Sequence, residues 1–314
     1  MWGVGMGESE EVLIRRLREV FNTTFQSGVE VGIGDDAAIF SATGSRLVAT
    51  VDTAVEGIHF RRNWSSPFQI GAKLTTASLA DVFAMGGEPK YLLVATAIPE
   101  CDNKEVIEEL AKGIRSVADR FQVSVIGGDL SKSEKLLLSI TALGEIDRTP
   151  LTRSGAKVGQ IVYVSTLPGL SAAGLATLSR NLDRPKFVID AHLNPKLTKP
   201  ERLISVATAM SDISDGLSID ALHIAQESKV SIHFSKDLIS KADDFRYLSE
   251  IADEFNEDVF SWILNGGEDH FFIATVDSSI TDYALGVPIG RVEVGDGRVF
   301  LDGVEIEKGG YQHF

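Results

Sequence analysis

The chain has very little cysteine and no long apolar run. Cys101 is the only cysteine among 314 residues, so neither an intrachain disulfide nor a cysteine-based zinc or iron–sulfur centre can form within the chain. No stretch approaches 18 uninterrupted apolar residues, and residues 1–11 lack the basic region and apolar run of a signal peptide. These absences predict a cytoplasmic protein without a membrane segment.

Basic residues are also scarce relative to acidic ones. The chain has 30 Lys and Arg against 45 Asp and Glu, a net charge of -15. Such a charge repels nucleic acid and anionic membranes, so neither is expected as a partner. Acidity does not exclude a phosphate ligand, because carboxylates bind nucleotides through divalent cations that prefer oxygen ligands.

The length predicts two domains rather than one. A chain of 314 residues exceeds a typical single domain, and its 44% hydrophobic and 24% charged residues are typical of a globular enzyme. Helical and strand patterns alternate along the chain and predict an α/β (α+β) fold class. The polar segment 147–159 interrupts them, which places the domain boundary between 1–148 and 149–314.

The common nucleotide-binding and hydrolase motifs are absent: there is no Walker A loop, kinase glycine-rich loop, Gly-x-Ser-x-Gly elbow or His-Glu-x-x-His helix. A different local design recurs instead, an acidic residue beside glycine at a predicted strand end or helix start. Its four instances are Gly34-Asp35-Asp36, Gly128-Asp129, 212–216 and 266–269. Each alone is most simply an ordinary turn or cap. Together they favour a metal–phosphate site, because glycine permits close backbone approach and carboxylates supply the oxygen that Mg²⁺ prefers.

Two strands are predicted to end just before acidic residues. A strand over 46–51 is followed by Asp52, and a strand over 123–126 runs into Gly127-Gly128-Asp129. Strand ends are favoured functional positions. Asp81 adds an isolated carboxylate on a helix predicted from Pro67 to the glycine pair at 86–87.

The segment 212–228 predicts a phosphate-binding helix start. Apolar residues recur there at the spacing of one buried helix face: Leu217, Ala221, Ile224 and Ala225. The helix is therefore expected to begin near Ser214-Asp215. Backbone N–H groups at that end, with the positive end of the helix dipole, can hold a phosphate while aspartates hold its metal.

Cationic and histidine candidates are few. Lys73 and Arg153 could contact phosphate, and Arg153 is favoured because it lies in the predicted linker. His59, in a loop before Phe60, is either a substrate contact or a structural residue. The six histidines show no metal-ligand spacing, so no zinc site is assigned.

Together these motifs resemble the thiamine-monophosphate kinase family, within the superfamily of aminoimidazole ribonucleotide synthetase, selenophosphate synthetase and a hydrogenase-maturation protein. The resemblance spans nearly the whole chain. The segments that carry it are 32–36, 52–53, 56–60, 73–81, 84–89, 127–129, 151–156, 212–217, 266–269 and 310–314. The loop 56–60 and the terminal 311–314 favour this family over its relatives.

The resemblance implies a fold and a reaction. The implied fold is an N-terminal α/β domain that binds ATP and magnesium and joins its strands to those of a second subunit in a barrel. A C-terminal α/β domain then completes the active site. The protein is therefore expected to be a homodimer. The implied reaction is Mg²⁺-dependent transfer of the γ-phosphoryl group of ATP to thiamine phosphate, giving thiamine diphosphate and ADP.

The resemblance also implies the residues of the site, with Asp129 and Asp212 as the catalytic pair. The implied magnesium ligands are Asp36, Thr50, Val51, Asp52, Asp81, Asp129, Asp212 and Asp215, with Thr50 and Val51 acting through the backbone. The implied ATP contacts are Gly128, Asp129, Arg153 and Ser214. The implied thiamine phosphate contacts are His59, Glu268 and Tyr311.

Four positions depart from the family pattern and bear on substrate fit. Leu170 lies in a loop without the usual glycine and aspartate, and Asn194 stands where an arginine is usual. His270 replaces a tyrosine, and Val51 replaces a hydroxyl residue. Two alternatives therefore stay open: an enzyme of the same superfamily with another acceptor, and a non-catalytic nucleotide-binding homologue.

Overall fold

The computed structural model describes residues 16, 19–20, 29–31, 39–40, 46–280 and 283–306. Asp36 and Tyr311 lie outside the described residues. The chain divides into two compact units. Unit 1 comprises Met1–Ser78 and Glu88–Asp147, and unit 2 comprises Leu79–Gly87 and Arg148–Phe314.

Unit 1 contains a four-stranded sheet in the order β3-β6-β4-β5, in which β4 and β5 are parallel and the other pairs antiparallel. A separate antiparallel pair precedes it. The strands are β1 Val29–Val31, β2 Ile39–Phe40, β3 Arg46–Val55, β4 Glu88–Pro99, β5 Ser124–Ser133 and β6 Leu137–Ile146. Helix α1 spans Pro67–Ala84, confirming the predicted helix, and α2 spans Lys104–Ala118.

Glycines let α1 and α2 cross at close range. A Cβ at Gly71 would lie 2.3 Å from the Leu110 carbonyl oxygen, and one at Gly113 would lie 1.9 Å from the Phe68 carbonyl oxygen. In the sheet, alternate β6 residues such as Ile140 are buried and those between them are only half-buried. Because strand side chains alternate between faces, the sheet has one covered face and one open face.

Gly128 marks the closest approach of β5 to β4. A Cβ there would lie 1.8 Å from the Val94 carbonyl oxygen, whereas a Cβ at Gly127 would meet only the flexible Leu93 side chain, at 3.4 Å. We expect Gly128→Ala to lower the free energy of unfolding by about 1–3 kcal/mol, because backbone must move. Gly127→Ala is the matched control and should cost far less. Chemical denaturation compares them, and equal midpoints would contradict the prediction.

Unit 2 contains a seven-stranded sheet in the order β13-β12-β9-β11-β7-β10-β8. Its strands are β7 Ile161–Val164, β8 Ala207–Ile213, β9 Ser231–Phe234, β10 Phe271–Val276, β11 Val287–Glu293, β12 Val299–Leu301 and β13 Val304–Glu305. Its helices are α3 Leu170–Ser179, α4 Lys186–Leu193, α5 Glu201–Val206, α6 Leu217–Ser228, α7 Lys236–Ile239, α8 Phe245–Phe255 and α9 Val259–Asn265.

The apolar face predicted for α6 forms part of the core of unit 2. Leu217, Ala221, Ile224 and Ala225 are fully buried there, beside the central strand residues Ile213 and Ile273. The predicted α/β fold class is confirmed by the alternation of helices with two mixed sheets. Within the described part of the chain, no helix has the length and apolar character needed to cross a membrane.

Candidate functional site

In unit 1, Thr50, Val51 and Asp52 lie within β3 rather than at its end. The prediction that the strand stops at Val51 is wrong, because β3 pairs with β6 without interruption up to Val55 opposite Leu137. The polar residues are part of the ladder. Thr53 Oγ1 donates to Ser139 Oγ at 3.0 Å, and Ser139 Oγ donates to the Asp52 carbonyl oxygen at 3.0 Å.

Gly128 and Asp129 likewise lie inside β5, not after it, because β5 continues alongside β4 to Ser133. The register places Thr53 opposite Ser139, Ser139 opposite Ala95 and Ala95 opposite Asp129. Residues paired in this way share a face, so Asp129 lies on the open face of the sheet. Asp52 is paired with the buried Ile140 and lies on the covered face. The sheet therefore presents these two predicted ligands to opposite sides.

The loop after β3 is fixed by its own side chains. The Nδ1 atom of His59 accepts the Val55 N–H at 3.0 Å, and the Glu56 carboxylate accepts the Leu136 N–H at 3.0 Å. Gly57 adopts φ +83°, the left-handed conformation that favours glycine. Because Nδ1 is an acceptor, the neutral His59 ring carries its proton on Nε2. His59 is thus oriented as a donor and remains a predicted substrate contact.

In unit 2, Asp212 and Asp215 flank the end of β8. Asp212 is 5% exposed and pairs with Phe272 of β10, and half-buried Asp215 follows in the loop before α6. The helix begins at Leu217 rather than near Ser214, because β8 continues to Ile213 and Gly216 forms the N-cap at φ +127°. Asp81 is half-buried and lies on α1, in the segment Leu79–Gly87 that belongs to unit 2.

Asp220 is a functional candidate that the sequence reasoning missed. Its Oδ2 atom accepts the N–H groups of Ser214 at 3.2 Å and Gly216 at 3.3 Å. A carboxylate of the same helix already accepts the N–H groups of Ser214 and Gly216, so the phosphate contact predicted for this helix start is left to the other N–H groups of the loop. Asp220 lies four residues after the N-cap Gly216 and reaches back to the loop, much as the acidic residue of a capping box does. This spacing was the sequence signal that could have identified it.

The carboxylates near this loop repel one another. Burial raises the pKa of Asp220 to about 8, with further contributions from the charges of Asp212 and Asp215, and Arg153 opposes the shift. Arg153 lies in a short 3-10 helix, Arg153–Gly155, and donates from Nε to Ser211 Oγ at 3.3 Å. A cation placed beside Asp212 and Asp215 would relieve this repulsion.

Asp212 and Asp215 are too few to hold a magnesium ion by side chains alone. No group of three or more acidic, histidine or cysteine side chains within the described ranges is arranged to hold a metal ion. Mg²⁺ is commonly held by one or two carboxylates together with water and substrate phosphates. Asp212 and Asp215 therefore fit a magnesium ion that is bound together with a polyphosphate.

The segment 266–270 is held against the 213–216 loop. The Glu268 N–H donates to the Ser214 carbonyl oxygen at 2.7 Å, and the His270 N–H donates to the Ile213 carbonyl oxygen at 3.0 Å. Glu268 and His270 both have positive φ, 64° and 53°, which non-glycine residues adopt only when their surroundings hold them there. This contact positions Glu268 beside the acidic loop.

Asp269 caps a helix. Its Oδ2 accepts the Gly169 N–H at 2.7 Å and its Oδ1 accepts the Ser171 N–H at 2.9 Å, at the start of α3. Burial raises the pKa of Asp269 to about 6, and the two N–H groups oppose that rise. Both carboxylate oxygens of Asp269 thus accept N–H groups. In the motif 266–269, Glu268 remains the predicted site residue.

Two histidines beside the site were not predicted as contacts. His192 Nδ1 lies 3.1 Å from Ser171 Oγ and 3.8 Å from Glu268 Oε2. His270 Nδ1 lies 3.7 Å from Asp212 Oδ2. Both rings are buried. Each imidazole therefore lies next to one carboxylate predicted to bind metal or substrate.

Comparisons with known proteins identify the family. Residues 34–146 match the family described as "AIR synthase related protein, N-terminal domain". The thiamine-monophosphate kinase of Aquifex aeolicus is 33% identical over 305 residues, covering 95% of this chain and 97% of that protein. The crystal structure of thiamine-monophosphate kinase from Stenotrophomonas maltophilia is 30% identical, with a TM-score of 0.83, and the match covers 95% of this chain and 98% of that one.

A third similar structure is described as "AaThiL complexed with AMPPCP and TMP". It is 32% identical with a TM-score of 0.80, and the match covers 100% of this chain and 99% of that one. These similarities extend over nearly the full length of both partners, so they concern the whole chain and not one domain. The chain belongs to the thiamine-monophosphate kinase family.

Proposed function

We propose that this protein transfers the γ-phosphoryl group of ATP to thiamine phosphate, giving thiamine diphosphate and ADP. The observation that carries the proposal is the acidic loop of unit 2, where buried Asp212 at the end of β8 and half-buried Asp215 lie in a loop held by the Asp220 carboxyl group and by the 266–270 segment. Carboxylates crowded in this way suit a site that binds a polyphosphate with its metal. The family supports the substrates, since a similar structure contains AMPPCP, an ATP analogue, and TMP, which we take to be thiamine monophosphate.

The residues present suit this reaction because it requires no strong general base. A phosphate monoester has a second pKa of about 6 and is largely deprotonated near neutral pH. Catalysis then depends on alignment and on compensating the charge of two phosphate groups. When bound, Mg²⁺ supplies that charge compensation and polarises phosphoryl oxygens.

We assign roles to the residues on this basis. Asp129 and Asp212 act at the centre of the site, and Gly128, Asp129, Arg153 and Ser214 contact ATP. Magnesium is held by carboxylates and two backbone groups: Asp36, Thr50, Val51, Asp52, Asp81, Asp129, Asp212 and Asp215. Asp52 and Asp129 lie on opposite faces of the unit 1 sheet and are therefore assigned to different ions. His59, Glu268 and Tyr311 contact thiamine phosphate. Residues 1–148 form the ATP- and magnesium-binding and dimerisation domain, and 149–314 complete the active site.

The assay is direct. Purified protein is incubated with ATP, MgCl₂ and thiamine phosphate, and the products are separated by chromatography, with EDTA replacing MgCl₂ in a parallel sample. We expect ADP and thiamine diphosphate in equal amounts, and neither with EDTA. ADP without thiamine diphosphate would indicate another acceptor. The absence of both with MgCl₂ would indicate a nucleotide-binding protein without this activity.

We further propose that the protein is a cytoplasmic homodimer formed through the β3 edge of the open face of the unit 1 sheet, the edge opposite β5 and Asp129. Leu47 is 56% exposed and Val51 62% exposed. Their partners Glu145 and Thr141 are half-exposed positions of β6. Apolar side chains of this size on an open sheet face are typical of a surface that another chain covers.

A charge on this face should weaken the dimer. We expect Leu47→Glu to shift the sedimentation coefficient from that of a dimer to that of a monomer at micromolar concentration, because both copies of the charge would be buried. Val304→Glu, at a residue of unit 2 that is 71% exposed, is the control and should leave the dimer intact. A wild-type monomer, or an unaffected Leu47→Glu dimer, would contradict the proposed interface.

A further inference from the structure

A buried carboxylate lies beneath the 213–216 loop and is not among the residues assigned above to metal, ATP or acceptor. Asp220 is 1% exposed, and its Oδ2 atom accepts the Ser214 and Gly216 N–H groups. Its Oδ1 atom is buried and has no hydrogen-bond partner among the described residues. A carboxylate that is buried and only half satisfied costs stability, so a role that offsets this cost is expected.

The peptide group between Ile213 and Ser214 connects Asp220 to the acceptor side. Its N–H donates to Asp220 Oδ2 at 3.2 Å, and its carbonyl oxygen accepts the His270 N–H at 3.0 Å. In a trans peptide the N–H and the C=O point in opposite directions. One planar group is thus clamped between Asp220 on one side and the 266–270 segment on the other.

The next carbonyl group extends the connection. The Ser214 carbonyl oxygen accepts the Glu268 N–H at 2.7 Å. This bond is shorter than the 3.0 Å bond from the His270 N–H to the Ile213 carbonyl oxygen. A Cβ at Gly267 would lie 2.5 Å from the Ser214 carbonyl oxygen, so only glycine permits this approach. Glu268 and His270 are held at positive φ where these bonds form. The backbone of residues 213–215, which Asp220 holds through the Ser214 N–H, therefore decides where Glu268 and His270 are placed.

We propose that Asp220 is a positioning residue for the acceptor side of the site. It fixes the 213–216 loop through two N–H groups, and the loop in turn holds Glu268 at its left-handed conformation. Asp220 contacts neither substrate in this role. The inference rests on the proposed function, because Glu268 is assigned there to thiamine phosphate.

Kinetics of three variants test the proposal. Asp220→Ala removes the acceptor of both N–H groups and should raise the KM for thiamine phosphate about 10- to 100-fold, the usual effect of losing a group that orients a site residue. A purely structural loss would lower the active fraction, and hence the apparent kcat, without moving KM. Asp220→Asn keeps an oxygen that can accept the N–H groups and should recover most of the wild-type KM. Asp243→Asn makes the same chemical change at an exposed position and is the control.

Two outcomes would overturn the proposal. An unchanged KM in Asp220→Ala would show that the loop does not depend on Asp220. Equal impairment of Asp220→Asn and Asp220→Ala would show that an oxygen able to accept the two N–H groups is not what Asp220 contributes. If Asp220→Ala does not fold, Gly267→Ala replaces it, since its Cβ separates the two segments while leaving Asp220 in place. An unchanged KM in Gly267→Ala would equally overturn the proposal.

Amide hydrogen exchange separates this inference from the proposed function, because it needs no substrate. We expect faster exchange in peptides covering 211–217 and 266–272 in Asp220→Ala than in the wild type, and no change in Asp243→Asn. If the wild-type protein makes no thiamine diphosphate, the assigned reaction fails while this measurement still decides whether Asp220 connects the two segments. Faster exchange confined to 211–217 would contradict the connection.

Discussion

Asp212→Asn should reduce thiamine diphosphate formation about 100-fold or more while the protein folds normally. Asparagine has the same shape but lacks the negative charge, and charge in a water-poor site contributes strongly to metal and phosphate binding. Asp212 is 5% exposed and its strand position opposite Phe272 depends on the backbone, so the fold should not need the charge. Steady-state turnover at saturating ATP and MgCl₂ measures the effect.

The thermal midpoint provides the second measurement for Asp212→Asn. Burial, and then the charge of Asp212, raise the pKa of Asp220 to about 8, so Asp220 is mostly protonated near pH 7 and repels Asp212 only once it ionises. Removing one charge should leave the thermal midpoint of the metal-free protein unchanged or raise it. Asp243→Asn, at an exposed position, should change neither turnover nor midpoint. Full turnover in Asp212→Asn would remove Asp212 from the site.

Elements with strong local signals could be predicted from the sequence. Helix α1 begins at Pro67 as predicted and ends at Ala84, just before Gly86. The helix face predicted from the spacing of Leu217, Ala221, Ile224 and Ala225 is likewise the buried face of α6. In these cases the start, the stop and the periodicity all lie within the element itself. Pairing partners far along the chain were not needed.

Strand length could not be predicted in the same way. Strands β3 and β5 continue past Val51 and Ile126 because their partners β6 and β4 continue beside them. Polar residues and glycines at the predicted strand ends resemble loop residues in a single sequence. On an open sheet face they remain in the ladder, because their side chains reach solvent while the backbone bonds are kept.

The candidate site shows the same division between local and distant information. Residue types and glycine neighbours predict a site at the loop of Asp212 and Asp215, where Asp212 is buried and both charges add to the effect of burial on the pKa of Asp220. The role of Asp269 depends on bonds to Gly169 and Ser171, about 100 residues away in sequence. No local pattern distinguishes a carboxylate that caps a distant helix from one that binds a ligand.

The raised pKa of Asp269 predicts how the free energy of unfolding depends on pH. Its pKa is about 6 in the folded protein against 3.8 for the unperturbed group. The folded state therefore binds the proton more tightly than the unfolded state, so the stabilisation is complete below about pH 4 and is lost as pH rises through 6. A difference of about 2 pKa units corresponds to about 3 kcal/mol, and Asp269 is fully buried, so solvent screens little of it.

Asp269→Asn isolates this contribution because asparagine does not titrate. Its amide leaves one of the two N–H groups at the start of α3 poorly bonded, a penalty that does not vary with pH. We expect the free energy of unfolding of the wild type, relative to Asp269→Asn, to fall by about 2 kcal/mol between pH 4 and pH 7. Urea denaturation of both proteins across this range measures the difference, and titration of groups that do not interact with Asp269 cancels. A difference that stays constant with pH would show that Asp269 has an ordinary pKa and that its two bonds offset its burial.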